Sequence, residues 1–193
     1  EINEGPRVYI NKIDITGNTR TVDKVIRREF SLTEGDAYNK FAINYSKDSV
    51  RALNFFSDVD IKEIRTDYPD KLDLEITVEE KSTGEASLGA GYSSANSTSL
   101  NLGIKETNFL GNGQKLNFTT SFSNTKNTYD ISFTEPYFNN KQLALTGSLY
   151  SDVTDPGSVN YETEDIGLGF VIQFPLSSNT YLSTRYSLFT SKI

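Results

Sequence analysis

The sequence contains neither cysteine nor histidine. Disulfides and thiolate metal sites are therefore excluded, although an oxidising compartment remains permitted. Because general acid–base and nucleophilic catalysis depend mainly on histidine or cysteine, we expect no enzymatic function and no cofactor or metal. The remaining carboxylate clusters are interpreted as solvated charge: Glu79-Glu80, Asp58 with Asp60, and Glu162 with Glu164 and Asp165.

Long hydrophobic runs and basic runs are also missing. No stretch approaches the roughly 20 apolar residues of a membrane helix, and the N-terminus lacks a signal-peptide pattern. The net charge is −7 with no cluster of Lys and Arg, so nucleic acid is not an expected partner. If such a chain crosses a membrane it must do so as a β-barrel, because every backbone polar group there has to be bonded within the protein.

Charge is distributed unevenly along the chain. Of residues 1–83, 30 are charged, whereas only 15 of residues 84–193 are. The second part is instead rich in Ser, Thr, Asn, Gly, Tyr and Phe, which suits strands with one wet face and one apolar face. The sequence therefore predicts two domains, residues 1–83 and 84–193.

The first segment begins with a strand and two helices. The strand is predicted from Val8 to Ile15, with a phase slip near Lys12 that indicates a bulge. A short helix follows, with Thr21 as its N-cap. Its apolar positions are Val22, Val25, Ile26 and Phe30. A second helix is predicted from about Asn39, with an apolar stripe formed by Phe41, Ala42, Tyr45, Ala52, Leu53 and Phe56.

Two strands complete this segment, over Val59–Arg65 and Lys71–Lys81. In the second strand Leu72, Leu74, Ile76 and Val78 alternate with polar residues, so one face is predicted to be buried and the other wet. The order strand, helix, helix, strand, strand indicates a small α+β module in which both helices cover one sheet face.

Three segments of this module occur in order at a familiar spacing. They are Ile13–Thr19 (IDITGNT), Phe30–Asp36 (FSLTEGD) and Leu53–Val59 (LNFFSDV). Together they resemble a POTRA domain, in which the glycines mark turns and the Phe55-Phe56 pair ends the second helix. The resemblance implies a periplasmic module.

Residues 84–193 alternate with a period of two in runs of about ten residues, which is typical of a transmembrane β-barrel. About seven antiparallel strands are predicted on this pattern. Short turns at Leu110–Gly113, Asn139–Lys141 and Pro175–Asn179 alternate with a longer connection at 152–164. Short inner turns and longer outer loops favour an outer-membrane barrel over a soluble β-sandwich.

The period of two assigns strand residues to faces. Five residues are expected to face lipid: Leu102, Phe118, Ile131, Leu145 and Phe170. Five are expected to face the lumen: Lys105, Asn117, Ser132, Thr146 and Gly169. Aromatic girdles are predicted from Phe109, Tyr137, Phe138, Phe174 and Tyr181 at the inner rim, and from Tyr92, Phe122, Tyr129 and Tyr150 at the outer rim.

Two further motifs, Asn108–Gly113 (NFLGNG) and Ser132–Phe138 (SFTEPYF), resemble the second and fourth barrel strands of the bacterial outer-membrane protein assembly family. This family joins its last POTRA domain directly to a barrel. The resemblance implies assembly and insertion of β-barrel proteins into the bacterial outer membrane. One POTRA unit and an incomplete barrel are less than the family contains, so we expect the chain to be a fragment.

The resemblance also implies two interaction sites. The first barrel strand, about Gly84 to Ser94, would offer a pairing edge to client strands through Gly84, Ser87, Gly89, Gly91 and Ser93. The POTRA module would bind periplasmic lipoprotein subunits and unfolded outer-membrane clients. We expect the docking corner to comprise Leu53, Phe55, Phe56 and Asp58, with Phe55 or Phe56 partly exposed where the second helix ends; the alternative is that both rings are core residues.

Two other functions remain open. A polypeptide exporter of the two-partner-secretion kind shares POTRA domains and a barrel, and only sequence outside this chain would distinguish it. A soluble α+β binding protein would have no membrane role, and dependence on detergent would exclude it.

Overall fold

The computed structural model describes residues 7–93, 97–155, 162–177 and 180–193, without the side chains of Ser93 and Ser97. It divides the chain into two compact units. The first comprises residues up to Thr83 with Leu110–Asn112, and the second comprises Gly84–Phe109 with Gly113–Ile193. The predicted strand end at Ser94, part of the 152–164 connection and the end of the 175–179 turn lie outside the described residues.

The first unit has the predicted order of elements. They are β1 (Tyr9–Thr16), α1 (Asp23–Arg27), α2 (Lys40–Ala52), β2 (Phe56–Arg65) and β3 (Lys71–Glu80). The sheet order is β1-β3-β2, with β3 parallel to β1 and antiparallel to β2. The predicted bulge is confirmed, because the β1–β3 register shifts between Ile10 and Lys12.

The core of this unit lies between the sheet and the two helices. The alternating apolar residues of β3 are all buried, as predicted: Leu72, Leu74, Ile76 and Val78. The helices contribute Val25, Ile26, Ile43 and Val50 to the same hydrophobic cluster. Burial of these side chains against each other supplies the main stabilisation of a module of this size.

Two predictions about the helices are wrong. The expected apolar stripe of α2 faces water at Phe41 and Tyr45, which are 80% and 60% exposed. Its buried face is formed by Ile43, Ser46 and Val50. The Ser46 hydroxyl donates to the Ala42 carbonyl at 2.8 Å, so this polar group is buried with its hydrogen bond made.

The first helix is shorter than predicted and begins differently. Its N-cap is Val22, which makes no side-chain capping hydrogen bond, and α1 ends at Arg27. Thr21 is instead buried, and its N–H donates to the Glu80 carboxylate. For α2 the N-cap is Asn39, whose side chain accepts hydrogen bonds from the Phe41 and Ala42 amides.

The backbone conformation at position 17 explains why the first POTRA-like motif contains a glycine there. Gly17 has a φ of +89°, a left-handed conformation that disfavours a side chain. A Cβ built there would lie 2.0 Å from the Val78 carbonyl oxygen of β3. Only glycine therefore allows the chain to leave β1 so close to the neighbouring strand.

The second unit is a seven-stranded antiparallel sheet in the described residues, which confirms the predicted class. Its strands follow one another in space as they do in sequence: β4 (Gly84–Ser93), β5 (Ser97–Phe109), β6 (Gln114–Ser123), β7 (Lys126–Glu135), β8 (Ala144–Thr154), β9 (Thr163–Ser177) and β10 (Thr180–Lys192). Among the described residues, no helix is long and apolar enough to cross a membrane.

The strand register corrects three details. Pro175 lies inside β9, which extends to Ser177, and pairs with Tyr181, so the predicted turn does not begin at Pro175. Tyr181 adjoins Leu182 of the apolar face and therefore lies on the polar face. Tyr150 lies opposite Gly167, also on the polar face. Neither tyrosine can join a girdle on the apolar face.

Candidate interaction sites

The five residues expected to face lipid lie on one face of the seven-stranded sheet. Ile131 pairs directly with Phe118 on one side and with Leu149 on the other. Leu145 pairs with Ile172, two residues from Phe170, and Leu102 is two residues from Ile104, the partner of Phe118. Directly paired residues share a face, so these side chains form one continuous apolar surface. Contact with lipid remains a prediction.

The opposite face carries the residues expected to line the lumen. Lys105 pairs with Asn117, and Asn117 pairs with Ser132. Thr146 lies on the same face, and its hydroxyl is 2.8 Å from that of Thr134. Gly169 lies opposite Ser148, which in turn lies opposite Ser132. From β5 to β9 the residues expected to line the lumen are therefore brought together on one face.

The expected pairing edge coincides with β4, which lies at one end of the sheet order beside β5. Its polar face carries Ser87, Gly89 and Gly91, whereas Gly84 shares the other face with Leu88. Ser87 lies opposite Gly103, and a Cβ at Gly103 would approach the Ser87 Oγ to 2.5 Å. The Ser93 backbone pairs with Ser97. Small residues on both strands therefore give β4 little side-chain packing on its polar face.

The expected docking corner is less exposed than predicted. Phe55 and Phe56 are 4% and 5% exposed, with their rings edge to face at a centroid distance of 6.2 Å. The partial exposure predicted for Phe55 or Phe56 is therefore wrong, because both rings and the half-buried Leu53 pack into the core. Asp58 is the exposed member of the corner, and its carboxylate lies 3.7 Å from the Arg51 guanidinium.

Three ion pairs connect α2 to β2, and sequence patterns did not indicate them. Lys40 pairs with Glu63, Lys47 with Asp60 at 3.1 Å, and Arg51 with Asp58. The hydrogen bond from Lys47 is the main cause that lowers the pKa of Asp60. Arg51 also donates to the Val59 carbonyl of β2 at 3.2 Å. The carboxylates of Asp58 and Asp60 are exposed to solvent, as predicted, but each is also paired with a basic residue of α2.

Glu80 also departs from its predicted role as solvated charge. Its carboxylate accepts hydrogen bonds from the Thr19 hydroxyl at 2.8 Å, the Arg20 amide at 3.0 Å and the Thr21 amide at 2.7 Å. It therefore anchors the loop between β1 and α1 to the end of β3. No local pattern could reveal this contact, because its partners lie about sixty residues earlier in the sequence.

We expect Glu80 to make the stability of the first unit depend on pH. Burial alone would raise the pKa of Glu80, but hydrogen bonds from Thr21, Thr19 and Arg20 outweigh it and lower that pKa below its usual value. A carboxyl whose pKa is lower in the folded state stabilises above its unfolded pKa, and this contribution disappears as the pH falls through the folded pKa. Glu80→Gln should therefore reduce the loss of stability on acidification, measured by urea unfolding from neutral to acidic pH. An unchanged acid dependence would contradict this role.

Among the residues that the structure describes, no group of three or more His, Cys, Asp or Glu side chains is placed to hold a metal ion.

Comparison with known proteins gives two family matches. The POTRA model, described as surface antigen variable number repeat, matches residues 8–81, and the Omp85 superfamily domain matches residues 108–193. The chain therefore combines a POTRA domain with strands of an Omp85 superfamily domain, which is an outer-membrane β-barrel domain. The POTRA domain is periplasmic and the barrel strands lie in the outer membrane.

Along both domains the chain is similar to BamA. It is 31% identical over 182 residues to the outer membrane protein assembly factor BamA of Neisseria meningitidis serogroup B, a match that covers 91% of this chain and 23% of that protein. The crystal structure of BamA from Haemophilus ducreyi lacking POTRA domains 1–3 matches with a TM-score of 0.84 and 28% identity, over 99% of this chain and 37% of that one. The chain thus spans about a quarter of the length of its curated relative.

A second solved structure shares the fold alone. CdiB from Acinetobacter baumannii matches with a TM-score of 0.61 and 16% identity, over 96% of this chain and 38% of that chain. The two family matches and the similarity to BamA confirm the resemblance inferred from the sequence motifs.

Proposed function

We propose that this chain is part of a machine that assembles and inserts β-barrel proteins into the bacterial outer membrane. The observation that carries the proposal is the similarity to BamA, an outer membrane protein assembly factor, along both the POTRA domain and the barrel strands. In this proposal, residues 1–83 are the periplasmic part and residues 84–193 begin the barrel. The chain acts by binding and by strand pairing and not as an enzyme.

The pairing edge is β4. In a closed barrel this first strand pairs with the final strand, which lies outside this chain. Within a membrane each unsatisfied backbone group costs several kcal/mol, so an opened seam at β4 attracts another strand. The small residues Ser87, Gly89 and Gly91 support an easily opened seam, since few side-chain contacts must be broken. A client strand then adds to β4 by β-augmentation.

The docking surface lies on the POTRA domain. Because Phe55 and Phe56 are core residues, the accessible chemistry at this corner is the carboxylate of Asp58 with the adjacent Arg51 guanidinium. Periplasmic lipoprotein subunits of an assembly complex and unfolded clients are the proposed partners. The likeness to CdiB is limited to the fold and does not favour the alternative of polypeptide export.

A reversible cross-link tests the mechanism in the full-length protein. Ser87→Cys in β4 would be joined by a disulfide to a cysteine placed opposite it in the final strand. Residues 1–193 contain no cysteine, so Ser87→Cys would be the only thiol within them. Because β4 could no longer separate from its neighbour, we expect insertion of a test β-barrel client into lipid vesicles to stop and to resume after reduction.

The single variant Ser87→Cys is the control and should insert clients at the normal rate. Lipoprotein binding to the POTRA domain should be equal in the oxidised and reduced forms. Normal client insertion by the cross-linked protein would show that opening at β4 is not the mechanism.

A further inference from the structure

Strand β1 is an edge strand of the POTRA sheet, because the sheet order is β1-β3-β2. Edge strands expose backbone N–H and C=O groups that can recruit other extended chains. The first half of β1 is already covered by the segment 35–38. The Tyr38 amide donates to the Val8 carbonyl at 2.8 Å. The Ile10 amide donates to the Asp36 carbonyl, and the Ile10 carbonyl accepts a hydrogen bond from the Gly35 amide.

Beyond the bulge after Ile10, side chains cover the same edge. The Ile13 amide donates to the Glu34 Oε1 at 3.3 Å, and the Ile13 carbonyl accepts a hydrogen bond from the Arg27 Nη2 at 3.0 Å. Arg27 and Glu34 are also joined to each other, with Nη1 and Oε1 3.0 Å apart. Asp23 holds the other side of the guanidinium through a 3.1 Å contact with Nε.

We infer that Arg27 and Glu34 together take the place of a neighbouring strand at Ile13 and close the β1 edge to extended polypeptides. A neighbouring strand offers one acceptor and one donor to each outward-facing residue, and here the carboxylate supplies the acceptor and the guanidinium the donor. The ion pair continues the row of backbone contacts begun by Gly35, Asp36 and Tyr38.

The closed β1 edge belongs to the POTRA sheet and is separate from the proposed pairing edge at β4. Its consequence for a protein that handles unfolded barrel strands rests on the proposed function: client strands would be kept from pairing with β1. The edge closure itself does not depend on that function, so the two can fail separately.

Hydrogen–deuterium exchange at the Ile13 amide tests the closure in the 193-residue chain folded in detergent micelles. Glu34→Ala removes the acceptor, and we expect exchange at Ile13 to accelerate roughly tenfold, the effect of losing one hydrogen bond. Glu34→Gln retains a side-chain oxygen and should preserve most of the protection. The Ile10 amide, bonded to the Asp36 backbone, should stay protected in every variant and so reports that the domain remains folded.

Charge reversal separates strand mimicry from a simple ion pair. The double variant Arg27→Glu/Glu34→Arg can restore the ion pair, but it places a carboxylate against the Ile13 carbonyl and a donor against the Ile13 amide. Exchange at Ile13 should therefore remain fast. Lys40→Ala removes an ion pair with Glu63 away from β1 and should leave Ile13 unchanged.

A fluorescein-labelled peptide with the sequence of residues 128–135 provides the binding readout. The double variant Arg27→Ala/Glu34→Ala should bind this strand-forming peptide at β1 several-fold more tightly than the unmodified chain, since an edge donor and acceptor become available. Binding at β1 is distinguished from binding at β4 by the protection that added peptide gives to the Ile13 amide against exchange. Unchanged exchange in Glu34→Ala, restored protection in the reversed pair, or equal peptide binding by the open and closed edges would each overturn the inference.

Discussion

Replacing Phe55 with alanine is expected to destabilise the POTRA domain by about 3–5 kcal/mol, the usual cost of removing a buried phenylalanine ring. The Phe55 ring is 4% exposed and packs edge to face against Phe56 within the core cluster. The substitution would remove these contacts and leave a cavity between the helices and the sheet. Urea unfolding of the chain in detergent micelles, followed by the NMR signals of core residues such as Leu74, would measure the change.

Phe41→Ala is the matched control, because the same ring is removed from a side chain that is 80% exposed on α2. Its effect on the free energy of unfolding should stay within about 0.5 kcal/mol. Equal costs for the two variants would contradict the assignment of Phe55 to the core.

This difference also determines how docking should be tested. Loss of partner binding in Phe55→Ala could reflect unfolding alone, whereas Asp58→Lys changes an exposed charge beside Arg51. We expect Asp58→Lys to weaken lipoprotein binding while the POTRA domain remains folded.

Ile131→Arg should destabilise the barrel half by about 2–4 kcal/mol in lipid, because a cation would be placed near the bilayer midplane. Ile131 lies in the middle of β7 between Phe118 and Leu149 on the apolar face. Its neighbour Ser132 lies between Asn117 and Ser148 on the polar face, so Ser132→Arg should have little effect. The two variants place the same charge at nearly the same depth and differ only in the face they occupy.

Urea unfolding of the full-length protein from lipid vesicles would measure both costs. A large cost for Ile131→Arg alone would support lipid contact by the whole apolar face, which includes Leu102, Phe118, Leu145 and Phe170. Equal tolerance of arginine at the two positions would show that the apolar face does not meet lipid.

The sequence by itself determined the two-part organisation, the class of each part and the face of nearly every strand residue considered. Strands allow this because successive side chains point to opposite faces, so alternation in the sequence becomes alternation in space wherever the backbone stays regular. The register between Phe118, Ile131 and Leu149 preserves that alternation across three strands. The POTRA elements were likewise predictable, since turns at positions such as Gly17 separate short periodic segments.

Only the tertiary structure decided which face of α2 is buried. The helix carries two candidate stripes, one through Phe41 and Tyr45 and the other through Ile43, Ser46 and Val50. Aromatic content favoured the first, but packing against the sheet selected the second. The choice depends on how the helix is oriented over β3, and no periodicity within the helix contains that information.

The same limit applies to the polar contacts that close and anchor the POTRA sheet. Glu80 meets Thr19, and Glu34 meets Ile13, across sequence separations of 61 and 21 residues. Charge patterning indicated only that these carboxylates were suited to a surface. Their hydrogen bonds exist because the fold brings backbone donors to positions that neighbouring strands leave unpaired, and that geometry arises only when the strands and helices have assembled.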